Sequence, residues 1–133
     1  MLYGKSQLNV VFYGFRKTPY PNLGVAYLVS NLREHQFNYN FQYLESFEDI
    51  TSASKEICKM APDIVGLTAV SADFNKARIL SKKLKENCKA TILMGGSHIS
   101  SVPQTLPPEI DIGFLGESEE TIIDIFTLFK FDI

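Results

Sequence analysis

Short apolar runs divide the chain into alternating strand-like and helix-like segments. The runs Leu8–Tyr13, Asp63–Leu67 and Ala90–Met94 are largely apolar, which is typical of strands covered on both faces of a sheet. In contrast, Asn38–Leu44 alternates polar and aromatic residues with a period of two. That pattern predicts a strand with one wetter side, at an edge of the sheet. Asp111–Leu115 is the fifth predicted strand, and it is short.

Apolar residues recur at helical spacing in four other segments. The predicted helices are Leu23–Glu34 with Asn22 as its cap, a second helix capped by Ser46 or Asp49 and ended by Pro62, Phe74–Asn87, and a last helix that begins at Glu117–Glu120. Their core-facing residues are expected to be Val25, Leu28, Val29 and Leu32, then Ile50, Ala53, Ile57 and Met60, then Phe74, Ala77, Leu80 and Leu84, then Ile122, Ile125, Phe126 and Phe129.

Strands that alternate with helices predict a single α/β domain with three layers. Right-handed crossovers between parallel strands place helices on both faces of the sheet. The edge character of the second strand gives a five-stranded parallel sheet of the order 2-1-3-4-5, a Rossmann-like or flavodoxin-like arrangement. The loops after strands one, three and four then border one cleft at the carboxyl edge. The 133 residues suffice for one domain, with its ordered core expected over residues 8–129.

Composition and charge exclude several classes of partner. The formal net charge of −2 provides no basic surface for nucleic acid or for an anionic membrane. No apolar run reaches the roughly 18 residues that a membrane span requires, and the amino end has no leader-like apolar region. Cys58 and Cys88 lack the spacing of metal ligands and are expected to be thiols of a reducing compartment. The expected location is therefore the cytoplasm.

The loops also exclude common ligands of this architecture. A dinucleotide site needs G-x-G-x-x-G after the first strand, where this chain has an isolated Gly14 followed by prolines. A flavodoxin needs a phosphate cradle rich in Ser and Thr in the same loop, which offers only Thr18. A phosphoacceptor domain needs an aspartate at the end of the third strand, where Thr68 stands.

Four segments in order resemble the cobalamin-binding domain at the amino end of cobalamin-dependent radical S-adenosylmethionine enzymes. The resemblance covers the chain from about Leu8 to Phe129, and the segments that carry it are Pro21–Leu28, Val65–Ser71, Leu93–His98 and Leu115–Thr121. It implies that the cleft binds cobalamin, a corrinoid with a long nucleotide tail. Small residues at the strand ends would give that tail clearance.

The resemblance also implies a set of cofactor contacts. Gly95 and Gly96 would admit the tail, Thr68 and Ser71 would contact its ribose and phosphate, and Ser97 would contact the corrin amides. The full implied set is Pro21, Leu23, Gly24, Thr68, Val70, Ser71, Gly95, Gly96, Ser97, His98, Gly116 and Glu117. Two structural alternatives stay open: the glycines only allow a tight turn, and Thr68 and Ser71 cap the third helix.

The first loop departs from that of the mutases and methionine synthase, which carries D-x-H-x-x-G with a histidine that binds cobalt. Alignment of the final glycine with Gly24 puts Pro21 in place of that histidine and Pro19 in place of the aspartate. The resemblance therefore implies base-off cobalamin without a histidine ligand. His98 follows strand four and would flank the tail or the corrin edge, so no residue of this chain is expected to bind the metal.

Radical chemistry of this class needs three cysteines in C-x-x-x-C-x-x-C, and this chain has two cysteines in total. We therefore expect the cobalamin-binding part of a longer radical enzyme, a methyltransferase or a related enzyme. The iron–sulfur cluster, S-adenosylmethionine and the barrel domain would then belong to a downstream part in cis. The alternatives are a docking or substrate-positioning module that has lost the cofactor, and a small-molecule sensor that uses the same cleft.

Overall fold

A computed structural model of the chain describes residues 7–15, 23–45, 49–68, 71–95, 106–113 and 122–127. Its strands are β1 (Asn9–Gly14), β2 (Asn40–Glu45), β3 (Ile64–Thr68), β4 (Thr91–Gly95) and β5 (Ile112–Gly113). Its helices are α1 (Leu23–Glu34), α2 (Ile50–Lys59) and α3 (Phe74–Asn87), and residues 122–127 are also helical. The strands form one parallel sheet in the order β2-β1-β3-β4-β5, which confirms the predicted fold class and strand order.

Two hydrophobic clusters cover the two faces of this sheet. We call the first the α1 face, because α1 and the helical segment 122–127 pack on it. Its buried residues are Leu8, Val10, Phe12, Leu32, Phe37, Ile64, Leu93, Ile122, Ile125 and Phe126. We call the second the α2–α3 face, and its buried residues are Val11, Tyr13, Phe15, Ala53, Ile57, Val65, Leu67, Ala77, Leu80, Leu84, Ala90, Ile92, Met94 and Ile110. The sheet is therefore the middle of three layers.

Local sequence explains where the helices begin. Asp49 is the cap of α2, and its carboxylate accepts a hydrogen bond of 2.7 Å from the backbone N–H of Ser52. That bond favours the ionised form, so the pKa of Asp49 is lowered, chiefly by Ser52. A short 3-10 turn, Ser71–Asp73, precedes α3 and puts Asp73 at the cap position, where its side chain makes no capping hydrogen bond. Asp49 is thus the correct choice of the two predicted caps, and Asp73 occupies the position that Thr68 or Ser71 would need as a cap.

The bounds of the strands differ from the prediction by one or two residues. The strands β1, β3 and β4 each begin and end one residue later than predicted. β2 begins at Asn40 rather than Asn38. The Asn40 N–H donates a hydrogen bond of 2.9 Å to the Leu8 carbonyl, directly before β1, and the pairing with β1 starts there. The described part of the fifth strand is Ile112–Gly113, within the predicted Asp111–Leu115. All these differences affect strand ends, and none changes the sheet order.

Close packing on the α1 face requires the glycine of β3, Gly66. The Phe12 ring lies against Gly66, and a Cβ at Gly66 would come within 2.6 Å of the Phe12 Cδ1 atom. Real Cβ atoms do not approach carbon so closely, so Gly66 leaves the space that the aromatic ring occupies beside the neighbouring strand. None of the described helices has the length and apolarity that crossing a membrane would demand.

Candidate functional site

Three strand ends lie side by side at the carboxyl edge of the sheet. Gly14 at the end of β1 is in register with Thr68 of β3, and Thr68 is in register with Gly95 of β4. We call Gly14, Thr68 and Gly95 the strand-end row. Since adjacent strands are about 4.8 Å apart, the row is roughly 10 Å wide. The structure therefore brings together Thr68 and Gly95, two of the residues predicted for the site.

The strand-end row belongs to the α1 face. Side chains two residues apart on a strand point to the same face, and Phe12 and Leu93 both lie in the α1-face cluster. Gly14 and Gly95 follow them at that spacing, and both glycines are buried. Thr68 is exposed although the four preceding residues of β3 are buried. The row thus offers one accessible hydroxyl between two positions that have no side chain.

The neighbouring row on the opposite face is filled. Tyr13, Leu67 and Met94 precede the three members of the strand-end row, and their exposed fractions are 1%, 3% and 0%. All three lie in the cluster of the α2–α3 face. Met94 therefore packs away from the strand-end row, and only the α1 face has small residues at the ends of the central strands.

Tyr43 forms a wall beside this row. Its hydroxyl lies over Gly14, where a Cβ would overlap it. Tyr43 is half-buried and, with residues of α1 such as Val25, Val29 and Arg33, lines an open groove of about 360 Å³. Tyr43 was not predicted as a site residue. The available signal was the period-two alternation of the second strand, which places Phe41 and Tyr43 on one face.

The other predicted contacts are only partly described. Leu23 and Gly24 form the first turn of α1, which follows β1, and Ser71 begins the 3-10 turn that follows β3. Both segments therefore start on the carboxyl side of the sheet, as the prediction requires. The remaining predicted residues lie outside the described part of the chain: Pro21, Val70, Gly96, Ser97, His98, Gly116 and Glu117.

The histidine of the described residues lies away from the strand-end row. His35 follows the end of α1, and its Nδ1 atom is 2.9 Å from the Asn31 carbonyl oxygen. α1 runs back from the carboxyl edge, so His35 is near the amino end of the strands, shortly before β2 begins. Across the described ranges, no three His, Cys, Asp or Glu side chains gather as a metal site would require.

Comparison with protein families gives one match over most of the chain. The family model of the B12 binding domain matches residues 11–126. A curated relative, the uncharacterized methyltransferase PH0819 of Pyrococcus horikoshii, is 34% identical over 112 residues. The matched region covers 79% of this chain and 24% of that relative, so the chain spans about a quarter of the relative's length.

Solved structures with the same fold include two enzymes. The cobalamin-dependent S-adenosylmethionine radical enzyme OxsB, with aqua-cobalamin and S-adenosylmethionine bound, has a TM-score of 0.77 at 20% identity, over 96% of this chain and 19% of OxsB. The radical S-adenosylmethionine methyltransferase TsrM from Kitasatospora setae, with cobalamin and a [4Fe-4S] cluster bound, has a TM-score of 0.74 at 18% identity. That match covers 92% of this chain and 24% of TsrM. At these identities the likeness establishes the fold.

Proposed function

The chain belongs to the B12-binding domain family, and we propose that it holds cobalamin at the carboxyl edge of its sheet, on the α1 face. The observation that carries this proposal is the strand-end row of Gly14, Thr68 and Gly95. The row has an exposed threonine and two positions without side chains on the α1 face, whereas the opposite face is filled to the strand ends. A narrow polar tail with small residues beneath it fits such an edge.

Each member of the described site has a separate role in this proposal. Gly95 leaves room for the tail to lie against the backbone, and Thr68 hydrogen-bonds to the ribose or phosphate of the tail. Tyr43 bounds the site on the β1 side, because its hydroxyl covers Gly14. The other proposed contacts come from the loops and first turns at the same edge: Pro21, Leu23, Gly24, Val70, Ser71, Gly96, Ser97, His98, Gly116 and Glu117. Bound cobalamin supplies a cobalt centre that can accept a methyl group and pass it on.

We further propose that cobalamin binds in the base-off form without a histidine ligand. The chain has two histidines. His35 is hydrogen-bonded at the amino side of the sheet, and Pro21 stands where the ligand histidine of the wider family would align. His98 follows β4 rather than β1, so its proposed contact is with the tail or the corrin edge.

The parent protein in this proposal is a radical S-adenosylmethionine methyltransferase or a related enzyme. Residues 1–133 would be its cobalamin-binding domain. The barrel, the iron–sulfur cluster and S-adenosylmethionine would belong to a further domain in cis. Support comes from the curated relative, which is named a methyltransferase and is about four times longer than the matched region. The two cysteines of this chain are too few for the cluster motif.

A spectroscopic experiment tests the cofactor proposal. The protein is mixed with hydroxocobalamin and desalted, and its visible spectrum is recorded. We expect retained absorbance with a base-off shape. After reduction to cob(II)alamin, we expect an electron paramagnetic resonance spectrum without splitting from a nitrogen ligand. A clear nitrogen splitting would contradict the absence of a histidine or dimethylbenzimidazole ligand.

The alternative function is a cofactor-free docking or substrate-positioning domain. The position of the Tyr43 hydroxyl over Gly14 favours it, because that group occupies one side of the strand-end row. The same desalting experiment separates the two functions. Protein that stays colourless after desalting at high concentration would support the docking domain.

A further inference from the structure

A groove lies between the helices α2 and α3. It has a volume of about 450 Å³, and residues of both helices line it, among them Lys55 and Lys59 of α2 and Lys83 and Asn87 of α3. Both helices pack on the α2–α3 face, whereas the strand-end row belongs to the α1 face. The groove is therefore on the other side of the sheet from the proposed cobalamin site, and a partner bound there would leave that site free.

The two helices that form the groove contain most of the positive charge of the chain. Together they have seven Lys or Arg residues and two Glu residues, Glu56 and Glu86, which gives a formal charge of +5. Because the whole chain has −2, the residues outside the two helices together have −7. Two of the seven cations have a close carboxylate: Lys59 lies 3.2 Å from Glu56, and Lys85 lies 2.7 Å from Asp111. The other five form no ion pair with any residue that the structure describes, so the outer side of α2 and α3 is basic.

Both walls of the groove contribute positive charge. Lys55 of α2 is exposed, and Lys83 of α3 is half-buried. Cys58, which also lines the groove, does not offset these charges. Burial is the main cause that raises the pKa of Cys58 to about 11, so its thiol is neutral at pH 7. An acidic side chain between the two walls would therefore meet a lysine on each side.

Ile79 adds an exposed apolar side chain to the α3 wall. It is 41% exposed, and it precedes Lys83 and Asn87 at helical spacing, so the three residues form one stripe along α3. The stripe is about 12 Å long, since a helix rises about 1.5 Å per residue. An exposed isoleucine forgoes part of the stabilisation that burial gives, and an apolar residue of a partner would supply that burial.

We propose that this groove docks an acidic amphipathic helix of a partner protein. Acidic side chains of that helix pair with Lys55 and Lys83, and an apolar side chain packs on Ile79. A helix suits the groove because its walls are themselves helices, whose side chains recur with the same spacing. The interaction is independent of cobalamin and lies beyond the proposed function.

The distribution of charge favours a protein over a nucleic acid as the partner. A nucleic acid presents phosphates along its whole length, and the negative charge of the residues outside α2 and α3 would repel them. A short acidic helix contacts only the basic side of the domain. It can also offer the apolar contact that buries Ile79.

Fluorescence anisotropy of a labelled peptide tests the proposal on the full chain. The probe is a synthetic peptide of about 18 residues, long enough to form a helix in water, with Leu at i, i+3, i+4 and i+7 and Glu at the flanking positions. The control peptide has the same composition in scrambled order, so it keeps the charge and loses the apolar stripe. We expect the amphipathic peptide to bind about tenfold more tightly than the scrambled peptide at low salt, and its affinity to fall several-fold as salt is added.

Substitutions in the stripe locate the binding surface. Lys83→Glu should weaken binding of the amphipathic peptide by about tenfold, because it repels the acidic residues. Ile79→Ser should weaken it by about fivefold, because the apolar contact is lost. Lys82→Glu is the matched control, since it makes the same change of charge at the preceding residue of α3, which does not line the groove. We expect this control to weaken binding by less than about twofold.

Three results would overturn the proposal. The first is the absence of binding, or equal affinities for the amphipathic and scrambled peptides. The second is an equal loss of affinity in Lys82→Glu and Lys83→Glu, each folded by circular dichroism. The third is heparin that binds more tightly than the amphipathic peptide and equally well to Ile79→Ser and wild type, which would indicate a nucleic-acid surface.

The comparison of the two peptides needs no variant, so it decides the question even where Lys83→Glu fails to fold. Every measurement is made without cobalamin. Failure of this proposal is therefore distinguishable from failure of the proposed function.

Discussion

The two faces of the sheet end differently at the carboxyl edge. On the α2–α3 face, Tyr13, Leu67 and Met94 fill the last positions of the central strands. On the α1 face, the strand-end row offers two glycines and an exposed threonine. Burial of a large apolar side chain stabilises a protein by about 1.5–3 kcal/mol, so glycines in these positions forgo core stability. Large side chains therefore reach the carboxyl edge on the α2–α3 face but not at Gly14 and Gly95 on the α1 face, and this contrast says more than the presence of glycine alone.

The largest expected effect comes from a large side chain placed in the strand-end row on the α1 face. Gly95→Leu places a branched side chain in the strand-end row and should weaken hydroxocobalamin binding by about 100-fold, which corresponds to roughly 2.8 kcal/mol. An absorbance titration with hydroxocobalamin measures the loss of affinity. Gly113→Leu is the matched control, because Gly113 is in register with Met94 and so faces the α2–α3 side. Equal losses in both variants, each folded by circular dichroism, would contradict the assignment of the site to the α1 face.

The second prediction distinguishes a packing glycine from a binding glycine on the same face. Gly66→Ala should destabilise the protein by about 1–3 kcal/mol, since the new Cβ would meet the Phe12 ring. Urea denaturation measures this change. Addition of Phe12→Leu should recover part of the loss, because the smaller side chain vacates the space. Full stability of the Gly66→Ala single variant would contradict the packing that we describe.

The third prediction concerns the hydroxyl in the strand-end row. Thr68→Val keeps the shape of the side chain and removes one hydrogen-bonding group, so cobalamin affinity should fall by about threefold to tenfold. Thr91→Val is the matched control at the opposite end of the neighbouring strand β4. The comparison fails if the control weakens binding as much as Thr68→Val does.

The smallest expected effect is a dependence of stability on pH, caused by Cys58 on the α2–α3 face. The ordinary thiol pKa of 9.0 applies to unfolded Cys58, whereas the folded-state pKa is raised to about 11. The unfolded chain therefore loses the Cys58 proton first as the pH rises. The stability that Cys58 contributes is fully present below about pH 9 and is lost progressively toward pH 11. Urea unfolding of the reduced protein across this range should show a steeper decline for wild type than for Cys58→Ser. Parallel declines would contradict the raised pKa.

The pattern of apolar residues was sufficient to predict most of the fold. The helices Leu23–Glu34 and Phe74–Asn87 have the predicted bounds, and the edge position of β2 follows from its alternation. These features depend on local periodicity, which a single segment reveals. The predicted start of β2 was wrong by two residues, because the observed start depends on the hydrogen bond between Asn40 and Leu8.

Less of the candidate site than of the fold could be predicted from the sequence. Thr68 and Gly95 were predicted as site residues because a buried run ended at each of them, whereas the identity of the ligand came from the resemblance. The Tyr43 hydroxyl over Gly14 was not predicted. It depends on how strands distant in the sequence pack, and it leaves no local pattern.

The position of Tyr43 in the sheet determines how its phenol can move. β2 is the outermost strand and pairs only with β1, whereas β3 and β4 each pair on both sides. Outward displacement of Tyr43 with its strand would break one set of strand pairings, but displacement of Thr68 or Gly95 would break two. The boundary of the site on the β1 side is therefore the easiest to displace. A large ligand would widen the site there first.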